Sequence, residues 1–188
     1  MAVDELQAIQ ACQRGDKAQF GSLYELYFER VYKFIYYKTF HTETAEDLTS
    51  RTFIKGLENI DSFDYSKGSF LNWIFSIARN TVIDYYRQAH PHLSTDDVWD
   101  LSSQQDISVD VENRILLEKV HQYLEKLSGP QREVIYLRIW EGLSYKEVAT
   151  ILGKTEASCK MMCSRALLRM QQEIIVILLF FIINFFKI

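Results

Sequence analysis

Five side chains in the carboxyl-terminal half of the chain have the types and the spacing that contacts with DNA require. On a helix, Lys160, Met161, Ser164 and Arg165 fall on one face, and Ser158 precedes them. Lysine and arginine reach phosphates or guanine edges, and serine hydroxyls contact either group. This pattern predicts non-covalent recognition of duplex DNA rather than catalysis.

The cysteine and histidine residues do not have the spacing of a metal site. Cys159 and Cys163 lie one helical turn apart, but no second cysteine pair or nearby histidine completes a ligand set. We interpret both as small buried hydrophobic residues. The sequence also contains no glycine-rich phosphate loop and no nucleophile elbow. It therefore predicts no metal, no cofactor and no enzymatic activity. The histidines without metal spacing are His41, His90, His92 and His121.

Local signals place the candidate DNA contacts on the second helix of a helix-turn-helix. Ser144 and Glu147 have the spacing of a capping box, which begins a short helix. Gly153 supplies the turn, and Thr155 caps the helix that carries the candidate contacts. In this motif the second helix lies in the major groove. The alternative is a helical hairpin with ordinary surface charges.

The amino-terminal half has helical periodicity and no period-two segment that predicts a sheet. Asp16, with Gln19 at the third position, predicts one helix start, and Thr44 predicts another. A turn-prone stretch at residues 61–68 precedes a third helix over residues 69–88. The apolar residues that repeat on the first helix are Phe20, Leu23, Tyr24, Tyr27, Val31, Phe34 and Ile35. The predicted buried face of the third helix contains Phe70, Trp73, Ile74, Ile77 and Ala78.

Charge is distributed unevenly along the chain. The formal net charge is −4 and the pI is near 5.6, so contact with DNA must be local or helped by a partner. Residues 91–112 contain six acidic residues, no lysine or arginine, and no helical periodicity. We interpret them as a flexible acidic linker, so the predicted fold is all-α with two small helical domains. The three cysteines form no even disulfide framework, which indicates a reducing cytoplasm.

Motifs in the second half resemble region 4 of the sigma-70 family of RNA polymerase sigma factors. They are LSGPQREVIYLR at residues 127–138 and EGLSYKEVA at residues 141–149, followed by Leu152 and Gly153. The likeness is strongest to the extracytoplasmic-function (ECF) group, which keeps only regions 2 and 4.

Motifs in the first half independently resemble region 2 of the same family. AEDLT at residues 45–49, with Phe53, is similar to region 2.2. GSFLNWI at residues 68–74 and IARN at residues 77–80 are similar to regions 2.3 and 2.4, which also include Asp84, Tyr85 and Arg87. Two motif sets in the right order with a linker between them are more specific than either set alone.

The resemblance implies the domain organisation and the function. Region 2, a helical bundle, is expected at residues 1–90, and the region 4 helix-turn-helix at residues 113–172. Such a protein binds core RNA polymerase and directs it to promoters. Region 2 melts and reads the minus-ten element, and region 4 reads the minus-thirty-five element. Core RNA polymerase, promoter DNA and an anti-sigma factor are the implied partners.

The resemblance also implies where region 2 contacts the polymerase. The matched residues on the clamp-binding helix are Asp47, Leu48 and Thr49, with Ser50 and Arg51 adjoining. Many relatives carry glutamine and an acidic residue at the last two positions, so this chain departs from the pattern there.

A pocket for an unpaired minus-ten base requires polar groups that read the base edge and aromatic surface that replaces stacking. The turn supplies Phe63, Tyr65 and Lys67, and the following helix supplies Asn80, Asp84 and Arg87. The alternative for Asn80 and Asp84 is that they hold the helices together.

Two segments allow several interpretations. The acidic linker either mimics nucleic acid in the RNA exit path of polymerase or serves as a solvated spacer. The tail at residues 173–188 is strongly hydrophobic, and nothing in the family predicts it. It is a membrane anchor, a partner-binding segment or the product of a shifted reading frame. The rival functions are a stand-alone helix-turn-helix regulator, which leaves the region 2 motifs unexplained, and a membrane-attached interaction protein, which rests on the tail.

Overall fold

The computed structural model describes residues 5–39, 41–89 and 127–185, with side chains described as far as residue 171. Within these ranges the chain forms seven α-helices and no strand, which confirms the predicted all-α class. The chain divides into two compact units, which are described separately. The predicted linker at residues 91–112 lies outside the described residues, as do the side chains of the hydrophobic tail.

Four α-helices and three short 3₁₀ turns build the amino-terminal unit. The helices are α1 (Glu5–Gln13), α2 (Phe20–Thr39), α3 (Thr42–Asn59) and α4 (Phe70–Ala89). The 3₁₀ turns are Lys17–Gln19, Ile60–Ser62 and Tyr65–Lys67. The last two turns lie in the connection between α3 and α4, which contains the predicted turn-prone stretch.

The helix starts differ in detail from the sequence prediction. Asp16 makes no side-chain cap, because a 3₁₀ turn intervenes before α2. The α3 helix begins two residues earlier than Thr44, and its cap is His41, whose Nδ1 accepts a hydrogen bond from the Thr44 N–H at 3.2 Å. Ser69 Oγ accepts from the Asn72 N–H at 3.3 Å and so caps α4 close to its predicted start. A histidine cap has no strong sequence signature, which explains the error at α3.

Aromatic side chains from α2, α3 and α4 fill the core of this unit. The Phe34 and Phe75 rings lie 4.9 Å apart between centroids, and Phe70 contacts Tyr27 at 5.3 Å. Truncation of such fully buried rings to alanine costs about 3–5 kcal/mol. Gly56 allows α3 to approach α4 closely, since a Cβ there would lie 2.9 Å from Ile74 Cδ1.

The predicted buried faces are mostly confirmed. All the predicted apolar residues of α2 are buried except Tyr24, which is 39% exposed. On α4, Trp73 and Ile77 are only half-buried, whereas Phe75, which the prediction omitted, is fully buried. The α4 helix packs against both α2 and α3, so its buried face is wider than one periodic stripe.

The carboxyl-terminal unit contains α5 (Gly129–Ile135), α6 (Tyr145–Leu152) and α7 (Glu156–Phe185), with a π-helical turn at Tyr136–Trp140. The capping box of α6 is confirmed, because the Ser144 N–H donates to Glu147 Oε2 at 2.8 Å and Ser144 Oγ accepts from the Glu147 N–H. The turn before α7 also forms as predicted: Gly153 has a φ of +63°, and Thr155 Oγ1 accepts from the Ser158 N–H at 3.2 Å.

The α7 helix packs on the rest of its unit through small side chains. Cys159, Cys163 and Ala166 are at most 1% exposed, which confirms that the two cysteines are buried hydrophobic residues. Burial raises the pKa of the Cys159 thiol, so the neutral form is favoured. Among the residues whose side chains the structure describes, no helix combines the length and the apolar character needed to cross a membrane.

Candidate nucleic-acid interfaces

The turn between α3 and α4 rests on a buried aromatic cluster. Phe63 is only 7% exposed, and its ring lies 5.6 Å from Phe70, 5.4 Å from Trp73 and 4.9 Å from Tyr65 between centroids. Phe63 therefore packs the turn onto α4, whereas Tyr65, at 41% exposed, presents aromatic surface to solvent. In this conformation Phe63 offers no face on which a base can stack, because that face is already packed.

Local hydrogen bonds fix the conformation of this turn. Asp64 Oδ1 accepts from the Ser66 N–H at 2.9 Å, and this contact together with the Ser66 hydroxyl holds the pKa of the Asp64 carboxyl below its ordinary value. Gly68, with a φ of +148°, adopts a backbone conformation that L side chains rarely occupy. Lys67 is the last residue of the Tyr65–Lys67 turn, and its side chain is 80% exposed.

A concave pocket lies between the turn and the first two turns of α4. Most of the surface that lines it is apolar, with a few polar side chains among it, and Lys67 adds a positive charge. Asn72 and Ser76, which lie four residues apart on α4, face this pocket, although the sequence analysis did not single out Asn72. The sequence feature that indicates a shared helix face for Asn72 and Ser76 is their four-residue spacing, which continues to Asn80. The residues of the turn and of α4 that line the pocket, with Ser69 between them, are Ser62, Phe63, Asp64, Lys67, Gly68, Ser69, Asn72, Trp73 and Ser76.

The remaining predicted minus-ten residues lie further along α4. Asn80 is exposed one helical turn beyond Ser76, about 6 Å along the axis. Asp84 lies 3.4 Å from Lys55 Nζ of α3, so it does link two helices, as the alternative interpretation proposed. Arg87 is exposed in the last turn of α4. The structure therefore brings Phe63 and Lys67 into the pocket and places Asn80, Asp84 and Arg87 outside it.

The α3 helix presents only part of the predicted polymerase-binding set to solvent. Leu48 and Thr49 are fully buried, and Thr49 Oγ1 donates to the Ala45 carbonyl at 2.6 Å. The prediction that these two side chains contact polymerase therefore does not fit their burial. Their positions in the motif are explained by packing of α3 on the core.

The exposed face of α3 instead carries an ion pair and one large apolar side chain. Asp47 and Arg51 form a pair at 2.8 Å with both side chains about half exposed, and Ser50 is exposed beside them. Ile54, seven residues after Asp47 and thus on the same face, is 56% exposed. Sequence analysis missed Ile54, because an isoleucine within a helix is most simply assigned to the core.

The α7 helix presents the predicted duplex-binding residues on its exposed face. Lys160, Met161, Ser164 and Arg165 are all exposed, and Ser158 is half-buried. Lys160 Nζ lies 2.8 Å from Glu156 Oε1, and this hydrogen bond raises the pKa of the lysine. Lys160 is therefore fully charged, but part of its charge is directed toward the Glu156 carboxylate.

The turn before α6 is held by an arginine that also orients a tyrosine of that helix. Arg138 donates from Nη1 to the Leu143 carbonyl at 2.9 Å, and its guanidinium lies 4.9 Å from the centroid of the Tyr145 ring. Lys160 Nζ lies 5.8 Å from the same ring. Tyr145 thus lies between two cations at the start of α6, and α6 and α7 are tied together on the side that carries Lys160.

Two family profiles match this sequence. The family described as Sigma-70 region 2 matches residues 23–91, and the family described as Sigma-70, region 4 matches residues 117–170. The chain is 34% identical over 168 residues to the ECF RNA polymerase sigma factor BldN of Streptomyces coelicolor, covering 86% of this chain and 62% of that protein. It is 31% identical over 150 residues to the ECF RNA polymerase sigma factor SigM of Bacillus subtilis, covering 79% of this chain and 91% of that protein.

Solved structures with the same fold include two protein complexes. CnrH, in complex with the cytosolic domain of CnrY, superposes with a TM-score of 0.69 at 21% identity, covering 90% of this chain and 96% of that chain. The sigma factor RpoE of Bartonella quintana, in complex with the anti-sigma factor NepR, superposes with a TM-score of 0.64 at 28% identity. That match covers 81% of this chain and 94% of that chain.

Proposed function

This chain belongs to the ECF group of the sigma-70 family and is a transcription initiation factor that directs RNA polymerase, and from this premise we propose which of its surfaces contact promoter DNA and polymerase. The amino-terminal unit captures unpaired bases of the minus-ten element. The carboxyl-terminal unit reads the duplex of the minus-thirty-five element. The exposed face of α3 binds the polymerase clamp helices.

The observation that carries the minus-ten proposal is the pocket between the turn and α4, which combines apolar surface with a few polar side chains. An unpaired base requires hydrogen-bonding groups at its edge and apolar surface against its face. Asn72 and Ser76 supply the polar groups, and Trp73 supplies half-buried aromatic surface. Lys67 at the rim is placed to contact a backbone phosphate, and Tyr65 offers a stacking surface for a neighbouring base.

The residues further along α4 extend this surface. Asn80 and Arg87 continue in the direction of the helix axis from the pocket, and both side chains are exposed. They are placed to follow the strand beyond the captured base. Asp84 pairs with Lys55 of α3, and because both side chains are about half exposed this pair contributes little to the packing of the two helices.

The minus-thirty-five proposal is supported by the geometry of α6 and α7. Both caps and the Gly153 turn form a helix-turn-helix whose second helix has its DNA-facing side free of core packing. Arg165 and Lys160 supply the cationic groups, and Ser158, Ser164 and Met161 complete the contact face. Two cations give weak phosphate binding, so polymerase must supply high local concentration over the promoter.

We assign the polymerase contact of α3 to the exposed residues Asp47, Ser50, Arg51 and Ile54. The ion pair between Asp47 and Arg51 is solvent-exposed and contributes little to the fold. Both groups are therefore available to pair with charges on the clamp helices. Ile54 supplies the apolar centre that protein interfaces generally contain.

An anti-sigma factor and a cytoplasmic location complete the proposal. Solved relatives of this fold are bound to a cytosolic domain of CnrY and to the anti-sigma factor NepR, and we expect a comparable partner for this chain. A stand-alone helix-turn-helix regulator does not account for the match of residues 23–91 to region 2. The linker and the tail keep the alternative interpretations given above.

Transcription by reconstituted holoenzyme tests the proposal. Full-length protein is combined with bacterial core polymerase, and a genomic fragment library serves as the template. We expect discrete transcripts that require the protein. Asn72→Ala reduces promoter melting without reducing duplex binding, and Arg165→Ala reduces duplex binding. Transcripts that are indifferent to Asn72→Ala would remove the pocket from the minus-ten site, and a chain that does not bind core polymerase would refute the polymerase assignment.

A further inference from the structure

The α1 helix precedes the range that matches region 2, yet it is anchored firmly to the bundle. The matched range begins at residue 23, whereas α1 covers Glu5–Gln13. Ala8, Ile9 and Cys12 form its buried face, and Ile9 and Cys12 are at most 1% exposed. This apolar face holds the helix against α2, and the polar side chains at its two ends, Glu5 and Gln13, reach the turn between α3 and α4.

Gln13 at the end of α1 binds the chain at the start of the Ile60–Ser62 turn and directly after it. Its Nε2 donates to the Ile60 carbonyl at 3.1 Å and to the Phe63 carbonyl at 2.9 Å. One amide group thus connects the carbonyl of the first residue of the Ile60–Ser62 turn to the carbonyl of the residue that follows the turn. Just beyond α1, Lys17 Nζ forms an ion pair with Asp61 of the same turn at 2.7 Å.

Glu5 at the start of α1 connects the Tyr65–Lys67 turn to the core. One carboxylate oxygen accepts a hydrogen bond from the Tyr65 hydroxyl at 3.0 Å, and the other accepts from the Tyr27 hydroxyl. Tyr27 is buried on α2, so Glu5 bridges a fixed side chain and an exposed one. Burial and the bond to Glu5 raise the pKa of Tyr27, so its hydroxyl remains a donor at neutral pH.

We propose that α1 is a positioning element for the minus-ten site, in which Glu5 and Gln13 hold the turn at residues 60–67 in the conformation that captures an unpaired base. The inference rests on the proposed function of the pocket. Within this turn, α1 binds the Ile60 and Phe63 carbonyls through Gln13 and the Tyr65 hydroxyl through Glu5. A turn that is already ordered loses less conformational entropy when DNA binds, so the α1 contacts increase affinity without touching DNA.

Gln13→Ala is the main test, with Gln10→Ala as the matched control. Gln10 is an exposed glutamine on the same helix. The probe is a fluorescent single-stranded DNA oligonucleotide that wild-type holoenzyme selects from a random pool. Gln13→Ala removes two hydrogen bonds, so we expect about five- to thirtyfold weaker capture by the holoenzyme. We expect no change for Gln10→Ala.

Two conservative variants separate positioning from general stability. Tyr65→Phe keeps the ring but cannot donate to Glu5, and we expect about two- to tenfold weaker capture. Gln13→Glu keeps the shape of the side chain but cannot donate to the two carbonyls, so it should behave like Gln13→Ala. In each case the binding of duplex minus-thirty-five DNA and of core polymerase by the same holoenzyme should stay unchanged.

The outcomes distinguish this inference from the function on which it rests. If Asn72→Ala leaves capture of the oligonucleotide intact, the proposed pocket is wrong and the inference falls with it. If Asn72→Ala weakens capture but Gln13→Ala does not, the pocket stands and the positioning role of α1 is refuted. Equal losses in single-strand capture, duplex binding and polymerase binding for Gln13→Ala would also refute it, because that result indicates general unfolding.

Discussion

Replacement of Glu156 by glutamine should strengthen the binding of the minus-thirty-five element. The Glu156 carboxylate lies 2.8 Å from Lys160 Nζ in the first turn of α7, and the two side chains are 48% and 57% exposed. To contact a phosphate, Lys160 must leave this pair or share its charge. The Glu156 charge also repels any phosphate that approaches Lys160. Glutamine removes both effects and keeps nearly the same shape.

The size of the effect follows from the exposure of the pair. Exposed ion pairs are largely screened by water, so the gain is modest, and we expect about two- to fivefold tighter binding. The gain should shrink as salt rises, because the Debye length falls from about 10 Å at 0.1 M to about 3 Å at 1 M. If Lys160 makes a full phosphate contact only in the variant, the slope of log K against log salt steepens by about 0.9.

Fluorescence anisotropy of a labelled duplex promoter with reconstituted holoenzyme measures this prediction over a salt series. Glu25→Gln, at an exposed position on α2, controls for the change in net charge. The double variant with Lys160→Gln closes a double-mutant cycle, in which the benefit of Glu156→Gln should largely disappear. Unchanged or weaker binding by Glu156→Gln, or an equal gain without Lys160, would show that α7 does not contact DNA through Lys160.

Three further predictions follow from other parts of the structure. Ile54→Ala should weaken binding to core polymerase by about tenfold in a pull-down titration. Leu26→Ala, at a similarly exposed apolar position, should leave this binding unchanged. Equal effects of the two variants would remove Ile54 from the interface. Gly153→Ala should lower the free energy of unfolding by about 1–2 kcal/mol, because a Cβ strains the backbone at a φ of +63°. The added Cβ would meet no atom within 4 Å, so this strain is the whole effect. Gly21→Ala, in helical backbone with equal space, should instead be neutral or slightly stabilising in the same denaturation assay. Hydrogen bonds from Ser66 lower the pKa of Asp64, so the Asp64 cap is fully present above the ordinary pKa of the carboxyl and is lost as pH falls through the lowered value. The Ser66 amide should therefore shift in NMR spectra below about pH 4. Asp64→Asn should abolish that shift.

The sequence by itself determined the features whose cause is local. Helical periodicity, the Ser144 cap, the Gly153 turn and the Thr155 cap all depend on residues within one or two turns of each other, and the structure has each of them. The same locality explains why the exposed face of α7 was predicted correctly. Its buried stripe of small residues and its polar face are set by period alone.

Only the tertiary structure decided which side of a helix is covered when several partners compete for it. Periodicity groups Asp47 with Ile54 on one face of α3, but it does not reveal that this face is exposed. The structure shows Leu48 and Thr49 in the core and Ile54 in solvent. The reason is that α3 packs against both α2 and α4, and the direction of that packing depends on residues far away in the chain.

The support of the turn at residues 60–67 was likewise invisible in the sequence. Gln13 reaches Ile60 across 47 residues, and Glu5 reaches Tyr65 across 60. A polar side chain that bonds to a distant carbonyl leaves no periodic or motif signature near its own position. Asn72 was missed for a related reason, since only the fold of the turn back onto α4 makes it part of a pocket. Local chemistry thus determined the helices and their caps, and long-range packing determined which of their side chains form the sites.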